Sequence, residues 1–393
     1  MGNSQKGNKS IKQEYLKLIE KKKREYFKKN EAVIFACDIR KWKEFVLEEI
    51  LDAIKIHPDA DWPKALEKAC KSWKTVNDNK YRSNIVLFDY LQESKPASNN
   101  SSRLRRTIIK VPDNIENEQI DFEATSIFDF LNGHFDQSTH FIANIISIFH
   151  HTFYTKNSYI LSISPEESYQ CSSRLLHISE DLIKETKTFI MIVLQTMIYY
   201  YGGLLAKKMQ ENPSQMYDFI LEKIISQEVH SLLLHAYKIS RPQDYLNYTM
   251  KLQSLENITC SDLQIDPMFC LDKPNNVHIN GYGYAIEKVK EIEDVFTPMK
   301  KLEIIGYATD MICGSVDEYW KDMPDIDQNK LVIDGDNFLS IYIYIVIKSG
   351  VKDLKGHIWL ITQLARSGIQ NGAMGYYLTT LEACLIQVET LNS

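Results

Sequence analysis

Two aspartates, Asp334 and Asp336, stand in front of one of the densest apolar runs in the chain, FLSIYIYIVIK at residues 338–348. A short carboxylate at such a place accepts hydrogen bonds from the free backbone N–H groups that begin a helix. Lys348 and Gly350 end the run as a helix C-terminus usually ends. The β-branched content favours a strand, but the boundaries and a length of about twelve residues favour a helix. We therefore predict a buried helix here, with capping as the simplest role of Asp336.

The sequence contains no pattern that predicts covalent or metal chemistry. It has no Gly-rich phosphate loop and no nucleophile elbow. The seven cysteines are scattered and never spaced as C-x-x-C, which predicts neither disulfides nor a zinc cluster and is typical of a reducing cytosol. His150 and His151 are adjacent, and neighbours on a helix point about 100° apart, so one metal is an awkward shared target. We predict no metal and no cofactor.

The sequence also gives little support for a nucleic-acid partner. The short basic motif RLRR at residues 103–106 can touch a phosphate. One such cluster in a chain of net charge −6 is poor evidence for a nucleic-acid surface. We therefore predict no nucleic-acid partner.

Composition predicts an all-α protein with more than one domain. Hydrophobic residues make up 44% and charged residues 25%, as in ordinary globular proteins. Only 15 Gly and 11 Pro occur in 393 residues, and long stretches without either favour helices. We predict a basic N-terminal helical segment of unknown function at 1–94, a Ser-, Asn- and Pro-rich linker or long loop at 95–120, and helical regions at 121–215 and 216–393.

One apolar run, FIMIVLQTMIYYYGGLLA at residues 189–206, approaches the length of a membrane span. Gln195 lies at its centre, and charged residues of LIKETKT precede it. We interpret the run as a buried helix of a bundle, and a membrane-spanning segment is the alternative.

The first thirty residues carry a net charge opposite in sign to that of the rest of the chain. Ten Lys or Arg against three Glu give them a net charge of +7, so the remainder carries −13. Ile11, Tyr15, Leu18 and Ile19 fall on one helical face. A basic amphipathic helix suits an anionic membrane surface, while a solvated lysine-rich helix packed weakly on the domain is the other interpretation.

The N-terminal residues add a second, lipid-based hypothesis. Gly2 follows a removable Met in MGNSQK, as in a myristoylation site, although Lys6 replaces the preferred Ser or Thr. One acyl chain binds membranes only marginally and needs a polybasic partner. The run Lys21, Lys22, Lys23 and Arg24 is the candidate for that second signal.

Three blocks in the second half of the chain share the order and spacing of a known family. They are TPMKKLEIIGYATDMI at 297–312, GDNFLSIYIYIVIKSG at 335–350 and GYYLTTLEACLIQVETL at 375–391. Together they resemble the vacuolar-protein-sorting-nine (Vps-nine) domain, the guanine-nucleotide exchange module for Rab GTPases of the Rab-five type. The resemblance extends over about 216–393. The residues that match the family pattern in order are Thr297, Pro298, Lys301, Leu302, Asp336, Leu339, Tyr344, Lys348, Gly375, Tyr376, Tyr377, Thr379 and Ala383.

The resemblance implies a role for Asp336 beyond capping. It falls at the position of the family's acidic finger, which reaches into the nucleotide site of the GTPase. There the carboxylate competes with phosphate for the P-loop lysine and opposes the bound Mg²⁺. Because the lysine and the cation are the main partners of the nucleotide phosphates, this lowers nucleotide affinity. The chain itself then performs no covalent chemistry.

The resemblance also implies the residues that contact the GTPase. Tyr376 and Thr379 fall on the family's switch-contacting positions, and Asn337, Leu339 and Ser340 follow the finger. A tyrosine joins an apolar body to a hydroxyl, so it suits the boundary between an apolar patch and a polar rim. Without the resemblance, Tyr376 and Thr379 at i and i+3 are better interpreted as a helix face packed inside.

The resemblance implies an exchange factor for an early-endosomal Rab-five-type GTPase, cytoplasmic and peripheral on the endosomal membrane, in endocytic vesicle traffic. A helical bundle, expected at 121–215, precedes and supports the layered helical exchange domain in this family. The chain departs from the family pattern at two positions: Ser340 replaces a Pro, and Asn337 replaces a second acid. These departures motivate the alternative of a non-catalytic Rab-binding scaffold with a degenerate exchange domain.

Overall fold

The computed structural model describes residues 124–135, 141–169, 172–201, 208–209, 211, 213–271, 281–321, 331–366, 369 and 372–391, together with Lys17 and Lys21. Every regular element within these ranges is helical, so the predicted all-α class is confirmed. The predicted linker at 95–120 and nearly all of the segment 1–94 lie outside the described residues.

Twelve α-helices are described in these ranges. They are α1 (Ala124–Phe135), α2 (Phe141–Asn157), α3 (Pro165–Ser168), α4 (Ser172–Tyr201), α5 (Pro213–Ile224), α6 (Gln227–Ser240), α7 (Pro242–Ser254), α8 (Gly283–Lys290), α9 (Pro298–Trp320), α10 (Gly335–Ser349), α11 (Leu354–Leu364) and α12 (Ala373–Thr390). Two 3₁₀ turns, Ser158–Ser162 and Glu291–Glu293, follow α2 and α8.

The chain divides into two compact units. One contains Ile163–Ser179 and Leu233–Ser393, and the other contains the helices of 124–162 together with Glu180–Leu232. The domain boundary that we predict between 215 and 216 stays a prediction.

Aromatic stacking fills the core of the unit that contains α1, α2 and α5. The Phe149 ring stacks on Phe153 at 4.9 Å and on Phe189 at 4.0 Å between centroids. Lys156 on α2 forms an ion pair of 2.9 Å with the buried carboxylate of Glu185 on α4. Because removing one partner of a buried pair leaves an uncompensated charge, this bond fixes how α2 meets α4.

The apolar run at 189–206 is helical as far as Tyr201. Its described side chains Phe189, Ile190, Val193 and Met197 are buried. Among the described residues, no helix has the length and apolar character needed to cross a membrane.

The other unit is built around α10. Seven consecutive side chains from Ile341 to Ile347 are buried. A strand buries consecutive residues on two opposite faces, whereas a helix does so only when neighbours surround it. Three helices, α8, α9 and α12, pack against α10, and α11 packs against α9 and α12. The predicted buried helix at this run is therefore confirmed.

Two helix boundaries of this unit carry local signals in the sequence. Gly350 ends α10 in the left-handed region at φ 65°, as predicted for a helix C-terminus. Thr297 and Pro298 begin α9, and the Thr297 carbonyl accepts the Lys301 N–H at 3.1 Å. However, the Thr297 side chain is buried and makes no capping hydrogen bond.

Candidate functional site

The N-terminus of α10 separates the two aspartates into different roles. Asp334 is the N-cap, and its carboxylate accepts the backbone N–H of Asn337 at 2.8 Å. Asp336 occupies the second helical position, with an exposed side chain. No described residue forms a hydrogen bond or ion pair with its carboxylate. The interpretation of Asp336 as the cap is therefore wrong, because Asp334 already occupies that position.

Asn337 is bonded to two other segments. Its side-chain N–H donates to the Asp334 carboxylate at 3.1 Å. Its side-chain oxygen accepts the backbone N–H of Asp266 at 3.0 Å. The first turn of α10 is thus tied to a residue 71 positions earlier in the chain.

Asp266 belongs to an irregular segment, residues 255–271, that follows α7. We refer to it as the 255–271 segment. It contacts both ends of α10: Asn337 holds Asp266, and Lys348 donates to the Glu256 carbonyl at 2.8 Å. The segment therefore runs along α10 from its C-terminus to its N-terminus.

The next two predicted residues on α10 lie at the edge of the core. Leu339 is partly buried and packs against the core of this unit. Ser340, where the family pattern has Pro, is also partly exposed. Both lie within one helical turn of Asp336, so a partner that reaches Asp336 is expected to pass close to them.

Helix α12 presents the other two predicted residues to solvent. Tyr376 is 60% exposed, and Thr379 is exposed with its hydroxyl donating to the Gly375 carbonyl at 2.7 Å. Leu378 and Leu381 on the same helix are buried. The interpretation of Tyr376 and Thr379 as an inward helix face is therefore wrong, and an outward face fits the resemblance.

Tyr377 joins α12 to α9, a role that the sequence pattern did not assign. Its hydroxyl donates to the Asp310 carboxylate at 3.3 Å, and the carboxylate raises the pKa of the tyrosine. Its ring lies on Gly306, where a Cβ atom would stand only 3.1 Å from the ring. Close contact at Gly306 thus fixes the N-terminal turns of α12, on which Tyr376 lies.

Lys301, the lysine of the Thr-Pro-x-x-Lys-Leu match, has a structural role. The side chain is fully buried, and its amine donates to the Ile292 carbonyl at 2.7 Å and to the Val295 carbonyl. These carbonyls belong to the turn that joins α8 to α9. Burial lowers the pKa of Lys301 to about 7, against an opposing effect of Glu293.

The predicted membrane-binding residues are mostly outside the described part. Lys21 is described, and it is helical and exposed. Gly2, Lys22, Lys23 and Arg24 lie outside the described residues.

Within this unit, α10 and α12 pack directly on each other. They carry the exposed Asp336 carboxylate, which no described residue binds, and the exposed Tyr376 side chain. Such a surface suits a protein partner with cationic groups, to which a carboxylate forms short, strong bonds. Among the described residues, no group of three or more His, Cys, Asp or Glu is placed to hold a metal ion.

Comparison with known proteins identifies a family match in the part of the chain that contains α10 and α12. Residues 282–393 match the family model of the Vacuolar sorting protein 9 (VPS9) domain. The resemblance inferred from the three motif blocks is therefore confirmed for this part of the chain.

Individual relatives are similar over a comparable stretch. Alsin of Mus musculus and Alsin of Homo sapiens are each 27% identical over 108 residues, which is 28% of this chain and 6% of the relative. A UPF0507 protein of Saccharomyces cerevisiae (strain YJM789) is 29% identical over 97 residues, which is 24% of this chain and 9% of the relative. The chain thus covers only a small part of the length of these relatives.

Proposed function

We propose that this protein is a guanine-nucleotide exchange factor for a Rab GTPase of the Rab-five type. One observation supports the proposal: Asp336, at the N-terminus of α10 in the VPS9-matched region, has an exposed carboxylate that no residue in the described part of the chain binds. Asp334 already provides the cap, so helix formation leaves the Asp336 carboxylate available for a partner.

The carboxylate acts by competition. Inserted into the nucleotide site, Asp336 offers the P-loop lysine of the GTPase an alternative anion and repels the phosphate groups. It also opposes Mg²⁺, which bridges the phosphates. Both effects destabilise the GDP-bound GTPase more than the nucleotide-free GTPase. The affinity for GDP therefore falls, and GDP leaves faster. No bond is made or broken.

Tyr376 and Thr379 on α12 supply binding energy. An exposed tyrosine that becomes buried in an interface contributes much area at little entropic cost. The Thr379 hydroxyl already donates within the chain, so it is available to the partner mainly as an acceptor. Leu339, Ser340 and Asn337 complete the proposed contact on α10.

A second function, a Rab-binding scaffold without exchange activity, is favoured by Ser340. The family pattern has Pro at this position, four residues after the finger. In an α-helix the N–H of Ser340 bonds to the carbonyl of Asp336, and a Pro removes that bond. The chain thus keeps a regular helix here but lacks the proline of the family pattern, and loss of that proline weakens contact with the GTPase.

Fluorescent-GDP release from a panel of Rab GTPases distinguishes these functions. An exchange factor accelerates release from at least one early-endosomal Rab in proportion to the chain's concentration. A scaffold binds a Rab in pull-down and leaves its release rate unchanged. Acceleration of no Rab in the panel, without binding, would reject both.

Action at the cytoplasmic face of early endosomes is part of the proposal. It is supported by the charge of +7 in the first thirty residues, which suits an anionic membrane. Co-sedimentation of the full chain with phosphatidylserine vesicles is expected, and reversal of Lys21, Lys22, Lys23 and Arg24 to Glu should abolish it. Equal sedimentation of both proteins would contradict this role.

A further inference from the structure

We infer that Asn337 is a positioning residue that holds the first turn of α10, and with it Asp336, against the 255–271 segment. The inference rests on the proposed function for its catalytic consequence, and on hydrogen bonds of the chain for its structural part. It gives a physical reason for the departure of this chain from the family pattern at 337.

The orientation of the Asn337 side chain is fixed by its partners. The Asp266 backbone N–H, at 3.0 Å, can only donate, so the side-chain oxygen must face it. The Asp334 carboxylate, at 3.1 Å, can only accept, so the side-chain N–H must face it. A residue at 337 therefore needs one acceptor and one donor on a short side chain, which asparagine provides.

An aspartate at 337 does not satisfy this pair of partners. Its second oxygen would stand where the asparagine N–H now lies, against the Asp334 carboxylate. Two carboxylates at that distance repel, and one of them is driven to bind a proton. Asp334 and Asn337 are therefore a matched pair, in which the cap carboxylate accepts from the amide and the amide oxygen accepts from Asp266.

Asp266, the backbone partner of Asn337, lies in a part of the 255–271 segment that is itself held by hydrogen bonds. The Trp320 indole N–H donates to the Met268 carbonyl at 2.9 Å, and the Tyr282 hydroxyl donates to the Phe269 carbonyl at 2.8 Å. The Asp266 carboxylate accepts the Met268 N–H at 2.8 Å. Trp320 at the end of α9 and Tyr282, the residue before α8, thus fix the part of the segment to which Asn337 is bonded.

This arrangement determines the backbone around Asp336. Helix ends fray unless their first N–H groups have partners. Residues 334 and 337, on either side of Asp336, are bonded to each other, and Asn337 is also bonded to Asp266. The Asp336 backbone is held in place while its side chain extends into solvent, so little ordering is needed when it enters a nucleotide site.

A cycle of three variants in the full chain tests the inference. Asn337→Asp is expected to slow the catalysed release of GDP from the Rab GTPase about tenfold at saturating exchange factor, as for loss of one hydrogen bond and gain of a repulsion. Asp334→Asn alone is expected to be near wild type, since Asn caps as well as Asp. The double variant Asp334→Asn, Asn337→Asp leaves only one charged group at this contact, so the repulsion is removed and the rate is expected to recover to within about threefold.

Hydrogen exchange measured by mass spectrometry provides a readout that needs no GTPase. The amides of Asp266 and Asn337 donate two of the bonds in question. Peptides that contain them should exchange about tenfold faster in Asn337→Asp and return to wild-type protection in the double variant. Asn247→Asp, the same change at an exposed position of α7, is the matched control and should alter neither readout.

The two readouts separate the possible failures. If wild type accelerates no Rab GTPase, the proposed function fails, and hydrogen exchange still decides the role of Asn337. If wild type is active but Asn337→Asp retains both its rate and its protection, the inference is overturned. If the double variant stays as slow and as unprotected as Asn337→Asp, the matched-pair explanation is overturned.

Discussion

Asp334 accepts the Asn337 backbone N–H at 2.8 Å, and Asp336, two residues after this cap, exposes its carboxylate to solvent. The chain thus uses one aspartate to begin α10 and leaves the next one available for a partner. This division explains how one short acidic stretch can stabilise a helix and also present a carboxylate to a partner.

Replacing Tyr376 by Ala is expected to weaken exchange without weakening the fold. The side chain is 60% exposed, so its removal should change the free energy of unfolding by less than about 0.5 kcal/mol. Loss of an aromatic anchor from an interface typically costs about 2 kcal/mol, or about a thirtyfold reduction in the catalysed GDP-release rate at low exchange-factor concentration.

Tyr284 on α8 is the matched control for this prediction, because it is also 60% exposed. Tyr284→Ala should leave both unfolding and GDP release at wild-type values. Equal loss of exchange in the two variants would mean that Tyr376 has no special contact with the GTPase.

Two exposed glycines are expected to respond oppositely to alanine. Gly350 ends α10 at φ 65°, and a Cβ atom there would meet nothing within 4 Å. Gly350→Ala should therefore lower the free energy of unfolding by about 1 kcal/mol through backbone strain alone. Gly314 lies inside α9 with equally open space, so Gly314→Ala should raise it by up to about 1 kcal/mol.

Urea titration of both glycine variants measures these changes. Because neither alanine meets a neighbour, the difference in sign depends only on backbone conformation. A stabilising effect of Gly350→Ala would contradict the left-handed end of α10.

Lys301 should make stability rise with pH just above neutrality. Burial lowers its pKa from 10.5 to about 7 in the folded chain. Between these values the unfolded chain binds the proton and the folded chain does not, so the free energy of unfolding increases as pH rises. The expected slope is on the order of 1 kcal/mol per pH unit between about pH 7 and 8.5.

Lys301→Met isolates this contribution, because methionine keeps an unbranched apolar stem and has no titrating group. Urea denaturation at several pH values in this range should give a slope for wild type that the variant lacks. Parallel pH dependence of the two proteins would show that Lys301 stays charged when buried.

The sequence predicted the helix at 335–349 because its ends carry local signals. Asp334 and Gly350 act on backbone groups within a few residues of themselves, so their effect can be inferred from neighbours in the sequence. The choice between Asp334 and Asp336 as the cap could not be made, because both side chains reach the same free N–H groups.

The contacts that assemble the site were beyond prediction from the sequence. Asn337 meets Asp266 across 71 residues, and nothing local marks either residue for the other. The outward direction of Tyr376 depends on which face of α12 packs on α9, which Tyr377 and Gly306 decide. The burial of Lys301 contradicts the usual preference of lysine for solvent and follows from the carbonyls of the turn before α9.

The most direct test of the central claim is GDP release from the Rab GTPase that responds to the full chain, measured with wild type and with Asp336→Ala. Asp244→Ala is the matched control, since Asp244 is also an exposed carboxylate in the first turn of a helix, α7. We predict that Asp336→Ala leaves GDP release at the rate of the GTPase alone, with an unchanged unfolding midpoint, while Asp244→Ala remains active. Wild-type exchange by Asp336→Ala would contradict the account.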